Sequence, residues 1–216
     1  MLNENSIIKL NTEVKSPRRF VFVLIENFTL LSFSSALDAL RIANRMSGKK
    51  LYDWTFIGEN EEFVSCSAGT QFKLDNSLVE LHRGDTILLC GGTAIQESTT
   101  KKLIGWLRRE ARRGLIIGGL CTAAYPMAKA GLLDDKKATI HWENQDSFAE
   151  EFLEVELTKT VFVCDGNRYT TAGGTSSIDL LLKIIADEHG EELANAVADQ
   201  MIYLSLIHIS EPTRPY

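Results

Sequence analysis

The chain has no apolar run close to the ~20 residues that a membrane-spanning helix needs, so no membrane anchor is read in it. Residues 1–17 are polar, and no secretory signal is read there. Positive charge is in deficit: 23 Lys and Arg stand against 29 Asp and Glu, a formal net charge of -6. These residues are therefore not expected to bind nucleic acid by themselves, which would call for a basic patch. Cysteine is sparse. Cys66, Cys90, Cys121 and Cys164 form no C-x-x-C pair, and each sits in or beside an apolar run. A disulfide frame and a zinc site are thus not expected; reduced thiols in a cytoplasmic protein are. No cofactor or metal is implied. Internal repeats and low-complexity linkers are also lacking.

What is present suits one large α/β domain. The 216 residues suffice for a full core, and 44% hydrophobic with 24% charged residues is a globular composition. Residues 1–18 read as a loose leader. Phe20 to Ile25 (FVFVLI) is a continuous apolar strand, as in a parallel sheet covered on both faces. A helix follows to about Met46 and ends at Ser47-Gly48. Trp54 to Gly58 is a second strand, and Glu59 to Leu74 a hairpin, with Phe63 to Cys66 and Gln71 to Leu74 either side of Ala68-Gly69. Thr86 to Cys90 is a further buried strand, closed by Gly91-Gly92. Ser98 or Thr99 can cap a helix reaching Arg113. Ala138 to His141 is short and extended, and Trp142 to Glu151 helical. Val155 to Leu157, Val161 to Cys164 and Arg168 to Thr171 are strands, and Ser176 to Glu188 and Glu191 to Tyr203 helices. Strands alternating with helices imply a doubly wound, mostly parallel sheet with helices on both faces.

The stretch Ile116-Ile117-Gly118-Gly119-Leu120-Cys121-Thr122-Ala123-Ala124-Tyr125 is the most informative. It reads as strand, sharp turn and helix with Cys121 at the apex. Gly119 and Ala123 flank the apex with the small residues that a nucleophile elbow needs. The first amides of the new helix have no intrahelical partners, so they favour an anion and are expected to lower the thiol pKa. A buried cysteine at an ordinary strand-to-helix turn is the other reading. His141 follows a short extended segment, and Gly91-Gly92 a buried strand. Thr171-Ala172-Gly173-Gly174-Thr175 is another glycine-rich turn. A Cys–His pair near backbone donors is the layout of acyl transfer, although a lone His before Trp is more often structural. The expected pocket comprises Gly91, Gly92, Thr93, Cys121, Thr122, His141, Trp142 and Thr175, with Cys121 and His141 catalytic if anything is.

From Leu204 the helical pattern stops abruptly. Leu204 to Arg214 back-translates in one frame into a transposon-end sequencing adapter. Residues 204–216 are therefore read as a non-native read-through tail, with a natural irregular tail as the alternative. The domain proper is placed at residues 19–203.

Several stretches together resemble a family. They are Leu40-Arg41-Ile42-Ala43-Asn44-Arg45, Cys90-Gly91-Gly92, Gly119-Leu120-Cys121-Thr122-Ala123-Ala124, Ala130-Gly131-Leu132-Leu133-Asp134, Ala138-Thr139-Ile140-His141-Trp142-Glu143, Asp165-Gly166 and Thr171-Ala172-Gly173-Gly174-Thr175-Ser176-Ser177-Ile178-Asp179-Leu180. The chain resembles the ThiJ/PfpI-like, glutamine-amidotransferase-like domain at the N-terminus of a GlxA-type subgroup of AraC-family transcriptional regulators. The resemblance implies a flavodoxin-like fold, a small-metabolite effector such as an amino acid or betaine, a homodimer, and DNA binding through a C-terminal helix-turn-helix part absent from these residues. Hydrolase-type members of that superfamily carry a carboxylate just after the first strand. The matching position here is about Thr29; Glu26 is too early and Asp38 lies well inside the helix. The expectation is a non-catalytic sensor. A cysteine-dependent hydrolase, amidase or hydratase is the alternative, and a thiol stress sensor a third reading.

Overall fold

In the run Phe20 to Ile25, alternate side chains must face opposite sides of a sheet. The computed structural model, which describes residues 7–8, 16–59 and 62–203, buries both sets. Phe20, Phe22 and Leu24 enter one core; Val21, Val23 and Ile25 enter the other. Strand β1 (Arg18–Leu24) is thus central, with β2 (Tyr52–Gly58) on one side. On the other side lies β6 (Thr86–Cys90). The sheet has seven strands in the order β10-β11-β7-β6-β1-β2-β5, where β5 is Asn76–Ser77, β7 Ile116–Leu120, β10 Phe162–Asp165 and β11 Arg168–Thr171. Its pairs are parallel except β10 with β11. β3 (Phe63–Ser65) and β4 (Gln71–Lys73) form a separate antiparallel hairpin. β8 (Lys137–Ala138) and β9 (Glu156–Leu157) form a small parallel pair.

Helices cover both faces. α1 (Leu30–Ser47), α6 (Ser176–His189) and α7 (Glu191–Gln200) pack over the Phe20 side. There Phe22, Phe28, Phe33, Phe56 and Phe72 meet in edge-on or tilted ring pairs. α3 (Lys101–Arg112), α4 (Ala124–Lys129) and α5 (Gln145–Glu151) cover the Val21 side, and the one-turn α2 (Ile95–Ser98) leads into α3. Among the described residues, no helix is long and apolar enough to cross a membrane.

Most strand and helix ends shift by a residue or two from expectation, and three boundaries are informative. β1 begins at Arg18, inside the expected leader. The reason is lateral: Arg18 pairs with Tyr52 in the ladder, and its guanidinium donates to Thr86 Oγ1 at 2.7 Å. Thr100, rather than Ser98 or Thr99, caps α3, with its Oγ1 accepting from the Leu103 amide at 3.0 Å. Ser98 is consumed by the extra turn α2, and the Thr99 hydroxyl donates back to Ile95 O at 2.6 Å. α7 ends at Gln200, three residues before the expected Tyr203. Within the expected leader, Ile8 donates its amide to Met46 O at 2.8 Å, at the end of α1. Residues 1–6 and 9–15, and the whole expected tail at 204–216, lie outside the described residues.

Candidate functional site

β7 carries Gly118-Gly119 because its exit is crowded. A Cβ on Gly119 would lie 2.8 Å from Met127 Sδ and 2.9 Å from the Ala123 carbonyl carbon. After Leu120 the backbone reverses into a 3-10 turn over Cys121–Ala123, and α4 follows. Cys121 takes φ 62, a left-handed conformation that costs a non-glycine residue about 1–2 kcal/mol. This is the nucleophile-elbow geometry. Ala94 (φ 53) and Asn27 (φ 61) are also left-handed; Ala94 lines the same cleft and Asn27 precedes the segment that delivers Thr29 to it. Such strain gathers where a site over-determines the backbone.

The elbow is held on three sides. Thr122 Oγ1 donates to Gly92 O at 2.8 Å, and the Thr29 amide donates to Gly91 O at 3.0 Å. Gly173 presses on the sulfur from the third side: a Cβ there would lie 2.8 Å from Cys121 Sγ. Beside the thiol stands the Thr29 hydroxyl, with Oγ1 3.4 Å from Sγ.

Cys121 is only 4% exposed, and burial pushes its thiol up from the ordinary cysteine range. Hydrogen bonds from the Thr29 hydroxyl and the Thr122 amide pull it back, and the Glu143 charge adds to the rise. The expectation of a lowered pKa is thus corrected. The amide at the turn does act in the expected sense, but desolvation outweighs it. A six-residue α4 behind a 3-10 turn also sums few peptide dipoles.

The elbow opens into a cleft of about 470 Å³ at the carboxyl ends of β6 and β7, where open α/β sheets bind ligands. Of the expected residues, Gly92, Thr93, Cys121, Thr122 and His141 line it. Three do not. Gly91 lies behind the wall, where a Cβ would meet the Ala123 nitrogen at 2.6 Å. Trp142 opens a 3-10 turn with its side chain 71% exposed. Thr175 is exposed at the start of α6, because Gly173, two residues earlier, is the one that meets Cys121.

The remaining walls were not anticipated. Ser67 arrives from the hairpin turn, its amide donating to Phe28 O at 2.8 Å. Ala94, Ile95 and Gln96 come from the entry to α2, and Glu143 and Asn144 from the turn after His141. Glu143 Oε2 lies 3.7 Å from His141 Nδ1. Its position two residues after His141 was the one available signal. Among the described residues no hydrogen bond joins His141 to Cys121, and no Lys or Arg lines the cleft. A smaller cavity of about 150 Å³, walled by Val23, Val64, Leu74 and Leu103 with Glu26, Glu59, Ser98 and Thr100, has no cysteine or histidine in its lining.

Comparison with known proteins agrees with this geometry. Residues 18–187 match the model of the DJ-1/PfpI family. The chain belongs to that family. Among curated proteins this DJ-1/PfpI chain is similar to the HTH-type transcriptional regulator GbdR of Pseudomonas aeruginosa, 37% identical over 189 residues. That match covers 88% of this chain and 52% of GbdR. It is also similar to the HTH-type transcriptional regulator CdhR of Pseudomonas aeruginosa, 39% identical over 183 residues, covering 85% of this chain and 54% of CdhR. The chain therefore spans about half the length of these relatives. Among solved structures, an AraC family transcriptional regulator from Pseudomonas putida superposes with a TM-score of 0.75 at 27% identity, over 86% of this chain and 100% of that one.

Proposed function

We propose that this DJ-1/PfpI domain is the metabolite-sensing part of a cytoplasmic transcriptional regulator, and that it binds its effector in the Cys121 cleft without turning it over. The observation that carries the reading is the Thr29 hydroxyl at 3.4 Å from Cys121 Sγ. A hydroxyl is no general base for a thiol, and burial pushes that thiol's pKa up rather than down. The effector is a small amino acid or betaine-like compound. A cleft with the Glu143 carboxylate, several hydroxyls and no lining Lys or Arg among the described residues suits a compact, cationic nitrogen compound. The domain acts as a homodimer, and DNA is bound by a part of the regulator outside these residues. The regulator names and the half-length match of the relatives support that division.

The test is a thermal-shift screen of amino acids and betaines. A binder at a hundredfold excess over its Kd should stabilise the fold by about 2.7 kcal/mol. Cys121→Ala should weaken that response only modestly. A second reading, a cysteine-dependent hydrolase, amidase or hydratase, draws on His141 and Glu143 lining the cleft with Cys121. Turnover of an amide, ester or nitrile-like substrate that Cys121→Ala abolishes while the fold survives would replace the sensor with the enzyme.

A further inference from the structure

The elbow touches the end of the described chain through a short series of contacts. Gly173, at φ 91, lies so close to Cys121 that an added Cβ would sit 2.8 Å from the sulfur and 3.1 Å from the Cys121 Cα. The Gly173 carbonyl in turn accepts from the Ser176 hydroxyl at 2.7 Å and the Ser176 amide at 3.2 Å, where α6 begins. One turn on, Asp179 is 2% exposed. Its Oδ2 accepts from the Tyr203 hydroxyl at 2.7 Å, and Tyr203 is the last described residue.

A second, independent observation marks this end as held under tension. Ile202 sits at φ 51 and is 94% exposed. A β-branched residue in the left-handed region is a conformational outlier. Its side chain makes no packing that would justify the conformation. The residue after it supplies the restraint: the Tyr203 amide donates to Ala198 O at 2.9 Å and its hydroxyl to Asp179.

We infer that the Tyr203–Asp179 hydrogen bond is a latch that couples the Cys121 cleft to the segment leaving the domain, with the Gly173–Thr175 loop and the first turn of α6 as the moving element. A cleft state that pushes Cys121 against Gly173 shifts the loop and the start of α6. Asp179 moves with it, and the strained Ile202 is free to relax. Because coupling between two sites is reciprocal, breaking the latch must loosen the elbow. The inference rests on the reading of the cleft as an effector site, and gives that site its route to the rest of a regulator.

The test needs no effector and uses the 216-residue chain. Iodoacetamide alkylation is followed cysteine by cysteine by mass spectrometry at fixed pH; the sulfur–carbon bond forms, iodide leaves and the thiol proton passes to buffer. Cys164, exposed on β10, serves as the internal control. Tyr203→Phe should raise the Cys121 rate about threefold or more and leave Cys164 unchanged. In the reverse direction, Gly173→Ala should speed hydrogen exchange at the Met201 and Tyr203 amides while those of β6 stay slow. An unchanged Cys121 rate in Tyr203→Phe overturns the latch, as does equal acceleration of Cys121, Cys164 and β6 exchange, which would be general loosening. If Gly173→Ala fails to fold, the Tyr203→Phe arm decides alone. Failure here leaves the thermal-shift test of the sensing reading untouched, and a failed effector screen leaves this measurement valid.

Discussion

Replacing Gly92 by alanine should cost this fold about 3 kcal/mol or more. A Cβ built there lies 2.0 Å from Asn27 O, 2.7 Å from Thr29 N and 2.8 Å from the Phe28 carbonyl carbon. All three are backbone atoms, on the segment that presents Thr29 to Cys121. None can rotate away as a side-chain tip would. Overpacking costs about 1–3 kcal/mol where side chains yield, so a clash that only backbone movement relieves belongs at or above the top of that range. In a domain of this size about 1 kcal/mol moves Tm by about 2–4 °C, which puts the loss at roughly 6–12 °C or beyond. Two other glycines calibrate the effect. Gly69→Ala meets nothing within 4 Å, but φ is +76. Conformational strain alone should then cost about 1–2 kcal/mol. Gly105→Ala meets nothing within 4 Å either, has no left-handed φ and lies inside α3. It should stabilise by about 1 kcal/mol through helix propensity. Thermal melts followed by far-UV circular dichroism, checked by urea titration, would rank the three. A Tm loss in Gly92→Ala no larger than in Gly69→Ala would refute the packing argument.

Thr29→Val removes the hydroxyl that favours the ionised Cys121 thiol, so the thiol should rise further and its alkylation at pH 8 should slow several-fold; a rate equal to wild type would mean the 3.4 Å contact does not act on the sulfur. The Tyr203 phenol is pushed up to about 12, chiefly by burial and then by Asp179. A folded-state pKa above the unfolded value of about 10 gives stability that is complete below pH 10 and lost as pH rises towards 12. The urea midpoint should fall across that window, and less steeply in Tyr203→Phe; parallel pH profiles for the two proteins would contradict this.

Much of the frame was readable because local rules decide it. The run Thr86 to Cys90 became a strand at the expected residues, since five apolar or β-branched positions ending at Gly-Gly leave little choice. The first helix ends at Gly48 at φ 63, which glycine adopts without the cost of a Cβ. The hairpin turns around Ala68-Gly69 with Gly69 at φ 76 for the same reason. The cap of α3 was not readable. Ser98, Thr99 and Thr100 carry equivalent hydroxyls, and the choice of Thr100 depends on an extra turn and on its bond to Glu59, a residue 41 positions away. The cleft was read in part for a similar reason. Thr93 and Thr122, next to Gly92 and Cys121 in sequence, are in it, while Ser67 comes from the hairpin turn and Glu143 from the turn after His141.

The sequence by itself determined the elbow. Gly119, Cys121 and Ala123 are the small-apex-small pattern that a strand-to-helix reversal requires, and the backbone of Cys121 follows from those neighbours. It did not determine what the elbow cysteine is. Read locally, the turn amide favours a thiolate, and that term is present in the fold. Tertiary structure reversed the outcome by laying Gly173 from one crossover and Thr29 from another against the sulfur, which removes water from it. Desolvation is a sum over everything that surrounds an atom, and the surroundings of Cys121 are drawn from positions about 50 and 92 residues away along the chain.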